Sequence, residues 1–398
     1  MRNNCFLFAF AFVFMGLAGC RNKGVNVADD GVTVISVDLN ESEKVSMSDI
    51  ISRIEIVELE GGPDSYLTRT YQLRVADGRF YIRSIETDYI YAFDSDGRFL
   101  FNTAGRKGSG HNEYMRLYDF FVDNKGGINI CSGVSGLLRY DSLLNTVSSD
   151  KSINYRTMIP LSDDYLAFIN SAYDSEDSLK VDFYSTATHK IVGSSSLAKK
   201  RYLQGFCIGL PNCYSINDKE ILYRTTEVFN YSVFRLNADS KTITEAYRYE
   251  AGDNMMNASQ FPPASDLSFE AKCDGASTRQ TSLWDFDANN NFMIAILGSL
   301  NRRDLDSGKN LHLSLRSYKD GKQRLINAEM NGGKELYRID WLDDDAIYSF
   351  VPDYIIKYLD RMVDIDLLDE HSKEILDRRN DDANAYIIKY YLRDDIFY

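Results

Sequence analysis

The residues best equipped for chemistry sit in one glycine-rich stretch, Gly105-Arg106-Lys107-Gly108-Ser109-Gly110-His111-Asn112-Glu113-Tyr114. Glycine lets a backbone turn tightly and approach a ligand closely. Arg106, Lys107, His111, Glu113 and Tyr114 are therefore the candidate ligand-binding residues. The stretch lacks the GK[ST] ending of a phosphate loop and does not open a helix, which argues against a nucleotide. Read without a ligand, the same glycines serve a tight connection, and Tyr114 packs inside the protein.

Other constellations are weaker. The four histidines, His111, His189, His312 and His371, fall at no metal-ligand spacing, and neither HExxH nor GxSxG occurs. A Ser-His-Asp site assembles across sequence, but nothing points to one. With 59 acidic residues, chance pairs of carboxylates are inevitable, so a glycosidase pair is not legible from sequence. Asp174-Glu176-Asp177 reads as a solvated hairpin tip. Trp284 and Trp341 open similar strands. In a carbohydrate site they would stack on a sugar, and otherwise they fill core. No catalytic residue, metal or cofactor is assigned. The net charge of −14 argues against a nucleic-acid partner.

The elements that must position these residues are short strands. Tyr71 to Cys131 alternates apolar and aromatic runs with polar residues, separated by Asp77-Gly78, Asp96-Gly97 and Asn124-Lys125-Gly126-Gly127. Such turns need φ > 0, which Gly, Asn and Asp supply at least cost, so each signals a hairpin. Four runs at 71–76, 79–84, 88–94 and 98–103 make one antiparallel meander. Comparable sets follow over 117–150, 153–196, 206–250 and 282–328, and a sixth begins at 336–350. The spacing, about 40–50 residues, is that of propeller blades. Three sets share a strand ending in Asp, a short turn and an apolar strand: FFVDNKGGINI, DFDANNNFMIAI and DWLDDDAIYSF. The acid is expected to bond the amides of its turn. A calcium loop would need several spaced oxygens that are not there.

The ends depart from the pattern. Residues 353–379 carry apolar side chains at helical spacing, and Ala385–Leu392 is a strong terminal strand. A ring of blades must close, so 385–392 is expected to complete the last blade, assisted by a strand near Arg53–Leu59. Residues 31–38 and 51–59 alternate as strands, and 46–51 reads as a one-turn element. The fold class is therefore all-β: a six-bladed β-propeller over 51–398, with a helical insertion at about 353–380 before the closing strand.

At the N-terminus, Arg2 precedes the apolar run Cys5–Met15 and then Gly16-Leu17-Ala18-Gly19-Cys20. The run has the length of a signal-peptide core and is short for a membrane span. Small residues before Cys20 resemble the bacterial lipobox. That resemblance implies a leader over 1–19, cleavage before Cys20 and lipid on Cys20, followed by a tether and strand over 20–50. Arg21 rather than Asp follows Cys20, which favours an outer-membrane lipoprotein facing the periplasm or the cell surface. Of the remaining cysteines, Cys131, Cys207, Cys213 and Cys273 read as buried thiols, with a local Cys207–Cys213 bridge as the alternative.

The glycine-rich loop ending in Glu113-Tyr114, the strand Asp119-Phe120-Phe121-Val122-Asp123, the lipobox and the closing segment Asp381-Asp382-Ala383-Asn384-Ala385 together resemble a Bacteroidetes family of exported lipoproteins. That family has an NHL-like six-bladed β-propeller and no known function. His111-Asn112 and Ala385 stand where the family often has Pro-Gly and Pro. The resemblance implies the fold and the address. A non-catalytic, lipid-anchored module that binds a glycan, a peptide or an envelope protein is the expected function. A glycoside hydrolase or lyase with acids at the channel mouth is the alternative, and an envelope scaffold the third.

Overall fold

The computed structural model describes residues 26–27, 31–67, 70–169, 178–198, 214–216, 220–225, 230–255, 281–299, 311–336, 338–379 and 384–397. The leader, Cys20, the Asp174–Asp177 tip, the strand expected at 206–210, and Cys207, Cys213 and Cys273 lie outside them. Cys131 is a buried free thiol.

Six antiparallel sheets follow one another along the chain. The first blade is Thr70–Ala76, Arg79–Ser84, Ile90–Phe93 and Phe99–Asn102. The second is Asp119–Val122, Ile128–Cys131, Leu137–Tyr140 and Thr146–Asp150, and the third Thr157–Ser162, Tyr165–Ile169, Ser178–Ser185 and Lys190–Ala198. The fourth is Tyr214–Ile216, Ile221–Arg224, Ser232–Asn237 and Thr242–Glu250. The fifth is Thr281–Ala288, Phe292–Ser299, Leu311–Ser317 and Gln323–Asn327. In each, the first strand lies nearest the axis.

Buried apolar side chains divide into six clusters, one at each junction between neighbouring blades. Phe120, Ile128, Ile130 and Leu138 of the second blade face Tyr81, Ile90 and Ala92 of the first. Phe121, Cys131 and Leu137 face Met158, Leu166 and Phe168 of the third. Successive side chains on a strand point to opposite faces, so a sheet covered on both sides needs apolar residues at consecutive positions. That is why Ile128–Cys131 and Ile90–Phe93 are buried throughout. The other four clusters join third to fourth, fourth to fifth, fifth to sixth and sixth back to first, closing the ring.

The sixth blade is assembled from both ends of the chain. Its order is Trp341–Leu342, Ala346–Pro352, Ala385–Leu392 and, outermost, Ile51–Leu59. The two terminal strands pair antiparallel from Ala385↔Leu59 to Leu392↔Ile51. The expected closure is thus observed, with 51–59 as a full fourth strand. The segment before it has a role that its pattern did not announce. Thr33–Ser36 pairs parallel with the outer strand of the fourth blade, from Tyr247↔Thr33 to Glu250↔Ser36. Glu43 then bonds the rim of the fifth, its amide donating to Leu325 O at 2.7 Å and its carbonyl accepting from Asn327 N at 2.9 Å. The arm therefore clasps two successive blades, the fourth and the fifth, before it enters the sheet of the sixth.

The helical insertion lies between the second and third strands of the sixth blade. It consists of Asp353–Tyr358 and Ile365–Leu367, both 3-10, and the α-helices Leu359–Met362 and Glu370–Asp377. Asp369 caps the last helix by accepting from Ser372 N at 2.7 Å. Ser372 Oγ in turn accepts from Ile56 N at 2.8 Å. The helix thus covers the outer edge of Ile51–Leu59, the place where an unprotected sheet would pair with another chain.

Turn chemistry follows expectation at Asp123, which accepts from Lys125 N and Gly127 N at 3.0 and 2.8 Å. It does so again at Asp343, which accepts from Asp345 N and Ala346 N at 2.9 and 2.8 Å. In the fifth blade Asn289 caps the turn instead, accepting from Asn291 N and Phe292 N. Asp287, expected in that role, points to the axis, because it stands two residues earlier on the inward face of its strand.

Candidate functional site

The axis of the ring is filled by a knot of buried charge. Arg74 leaves the inner strand of the first blade and lies across the centre, its side chain only 2% exposed. Its guanidinium carbon is 4.7 Å from the Tyr214 ring centre and 5.6 Å from that of Trp341. One of its nitrogens is 3.8 Å from Asp119 Oδ1. Four blades therefore meet at one side chain.

Two aspartates on opposite sides of the ring tie blades to each other. Asp119, in the second blade, accepts from Gln72 Nε2 of the first at 2.9 Å and from Met158 N of the third at 3.0 Å. Asp287, in the fifth, accepts from the Ser215 hydroxyl of the fourth and from the Leu342 backbone of the sixth. Asp285 points inward beside it and accepts from Phe286 N at 2.9 Å. Asp340 accepts from Phe350 N at 2.8 Å and from Arg338 Nε at 2.7 Å. Arg224 donates to Thr225 O at 3.1 Å.

Burial pushes the carboxyl of Asp285 up to about 8, against the pull of Arg224. Burial likewise pushes Asp287 up to about 7, against its bond from Ser215. Asp119 is raised by burial and drawn back by Arg74. A glycosidase needs two carboxyls flanking a substrate that reaches them. These acids are at most 7% exposed; Asp119 and Asp287 cross-link blades, and Asp285 is held within its own strand beside Arg224. The tryptophans belong to the same frame. Trp284 donates to Gly298 O at 3.0 Å and packs between blades, and Trp341 packs at the sixth-to-first junction.

The glycine-rich stretch forms the crossover from the first blade to the second, bringing its five candidates together. Lys107 Nζ donates to Thr87 O at 2.6 Å. Arg106 lies 5.7 Å from the Tyr140 ring centre. Glu113 Oε2 accepts from Gly110 N at 2.8 Å, and its carboxylate occupies the space a side chain would need at Gly108 or Gly110. Tyr114 is buried, its hydroxyl 2.6 Å from Thr103 Oγ1. These four hold the loop, and His111 faces solvent. Among the described residues no cluster of His, Cys, Asp and Glu is arranged to hold a metal ion.

Open space lies at the opposite face, where the hairpins turn. A cleft of about 670 Å³ runs between the second and third blades, reaching Ile216 of the fourth. A second, of about 1140 Å³, lies between the fifth and sixth, among Asn289, Asn290, Asp344 and Arg53. Sequence reading missed both, since each is walled by hairpins from different blades and neither wall signals the other.

A closed ring of six four-stranded blades, cross-linked at its axis and clefted on its hairpin face, defines the class: a six-bladed β-propeller without an exposed catalytic constellation among the described residues. The chain belongs to the family described as a domain of unknown function, DUF4934, which it matches over residues 32–391. A Bacteroides fragilis protein named as a candidate exported protein is similar in structure, with a TM-score of 0.67 at 16% identity, covering 91% of this chain and 100% of that one. A member of the DUF4221 family from Bacteroides vulgatus is similar at a TM-score of 0.50 and 11% identity, covering 89% and 99%. At such identities the likeness speaks for the fold. No curated protein matches the chain. No helix among the described residues is long and apolar enough to cross a membrane.

Proposed function

We propose that this propeller is a non-catalytic binding module of the cell envelope, held to the outer membrane by lipid on Cys20, that captures a glycan or peptide. The observation that carries the reading is the contrast between the two parts of the ring. The axial acids are buried, Asp119 and Asp287 holding blades together, whereas the clefts between hairpins are open. Pockets of ~300–1,000 Å³ are the usual size for small ligands. On the other face, the crossover with Arg106, Lys107, His111, Glu113 and Tyr114 is a second place for ligand contact, with His111 its solvent-facing group.

The anchor carries a geometric consequence. Asn26 stands six positions after Cys20, a reach of at most ~20 Å when extended. Asn26–Val27 pairs with the arm on the rim of the fourth blade, so that rim faces the lipid. Expressed with its leader, the protein is expected in the membrane fraction with labelled fatty acid on Cys20, and Cys20→Ala should abolish the labelling. A mature chain beginning without acylated Cys20 would refute the anchor.

The binding reading is tested by screening glycans and peptides against the chain from Arg21 onward, with a parallel assay for released product. Saturable binding without turnover is expected. Turnover would instead establish the glycoside hydrolase or lyase, and a screen empty of ligands would favour the scaffold.

A further inference from the structure

The cleft between the second and third blades has walls of different charge. Its floor is apolar, built from Phe121, Leu161 and Leu166, and Val147 and Ile216 stand at its rim, 61% and 50% exposed. On the second-blade wall, Arg139 donates from Nε to Asn129 Oδ1 at 2.9 Å, which fixes the guanidinium plane. Arg139 and Lys125 both line the cleft, and neither makes an ion pair with a described residue. On the third-blade wall, the Asp163 carboxylate accepts no hydrogen bond from the described residues. The other two acids of the lining are engaged in their own turns. Asp123 accepts from Lys125 N and Gly127 N, and Asp141 from Leu143 N and Asn145 N at 2.9 and 2.8 Å.

A ligand that satisfies both walls and the floor carries an anion, a cation and apolar surface between them. Sugar recognition would call for an open aromatic face. The aromatic rings of this lining, Phe121 and Tyr140, are 8% and 2% exposed and offer none. A planar guanidinium with a free fork matches a carboxylate. We propose that this cleft binds short peptides with apolar side chains, the C-terminal carboxylate held by Arg139 and Lys125 and the N-terminal ammonium by Asp163. The assignment rests on the binding function above and narrows its ligand at this cleft from glycan or peptide to peptide.

The test is titration calorimetry on the chain from Arg21 onward, using a leucine-rich tripeptide with free termini, its C-terminal amide and its N-acetyl form. The free tripeptide is expected to bind, and each blocked form to bind at least about tenfold more weakly, the cost of leaving a charged partner unmet. Arg139→Gln should bring the free form down to the level of the amide. Asp163→Asn should bring it down to the level of the acetylated form. Asp163 is an exposed turn residue, so its variant keeps the test decisive if Arg139→Gln fails to fold. Equal binding of the three forms, unchanged binding in both variants, or no binding of the free tripeptide at millimolar concentration would overturn the proposal. Glycans or peptides bound in the wider screen with no dependence on Arg139 or Asp163 would overturn it while leaving the binding function standing.

Discussion

A chain begun at Glu60, without the strand Ile51–Leu59, is expected to lose the cooperative fold. The strand pairs along the whole of Ala385–Leu392. It also buries Ile51, Ile54 and Ile56 at the fifth-to-sixth junction and Val57 and Leu59 at the sixth-to-first. Burying an aliphatic side chain contributes about 1.5–3 kcal/mol, so five contribute about 7–15 kcal/mol. Whole domains are stable by only ~5–15 kcal/mol. Without the strand, the outer edge of Ala385–Leu392 is unpaired, a template for aggregation. Thermal and urea unfolding followed by circular dichroism should show no sharp transition for the truncated chain. Its single-residue counterpart, Ile54→Asp, places an unpaired carboxylate at a fully buried position, and should cost at least about 3 kcal/mol. A truncated chain that melts cooperatively at the full-length temperature would show that the ring closes without its N-terminal strand.

Arg74→Met is the second large effect. The substitution leaves Asp119 and Asp287 buried without the cation they share, and breaking a buried pair from one side costs about 3–5 kcal/mol. Asp119→Asn removes one of those charges in advance, so the double variant should lose less than the sum of the singles. Additive losses would mean that the guanidinium acts only through packing on Tyr214 and Trp341. The same knot makes stability depend on pH. Asp285 and Asp287 sit at about 8 and about 7 in the fold, against ~3.9 for an unfolded chain. Between those limits the folded protein binds more protons than the unfolded one, so stability falls as pH rises. The loss starts above about pH 4 and is complete a little above pH 8. Urea midpoints at pH 5 and pH 8.5 should differ accordingly, and Asp285→Asn should narrow the gap. Equal midpoints would place both carboxylates in their ionised form inside the ring.

Much of the architecture is written in local chemistry. Asp77-Gly78 at φ 50 and 68 and Gly97 at φ 83 adopt the left-handed conformations their sequence invites, and such turns set strand ends without reference to the rest of the chain. The glycine-rich stretch was equally legible as a tight connection. The axial knot was not. Arg74 in YQLRVA and Asp285 and Asp287 in LWDFDA look like ordinary polar positions of half-buried strands. Nothing local says that those strands are innermost, or that residues so distant in sequence converge. Their one signal is phase: Gln72 and Arg74, like Asp285 and Asp287, are polar at alternate positions of the first strand of a blade.

By itself, then, the sequence determined the repeating hairpins, their number and the strands that close the ring, because turn geometry and strand alternation are decided within a few residues. Only the tertiary structure decided that the N-terminal arm clasps the rims of two blades, that Arg74 occupies the axis, and that Arg139 and Asp163 line one cleft from different blades. Those relations arise when blades pack side by side, and packing joins residues that no spacing along the chain connects.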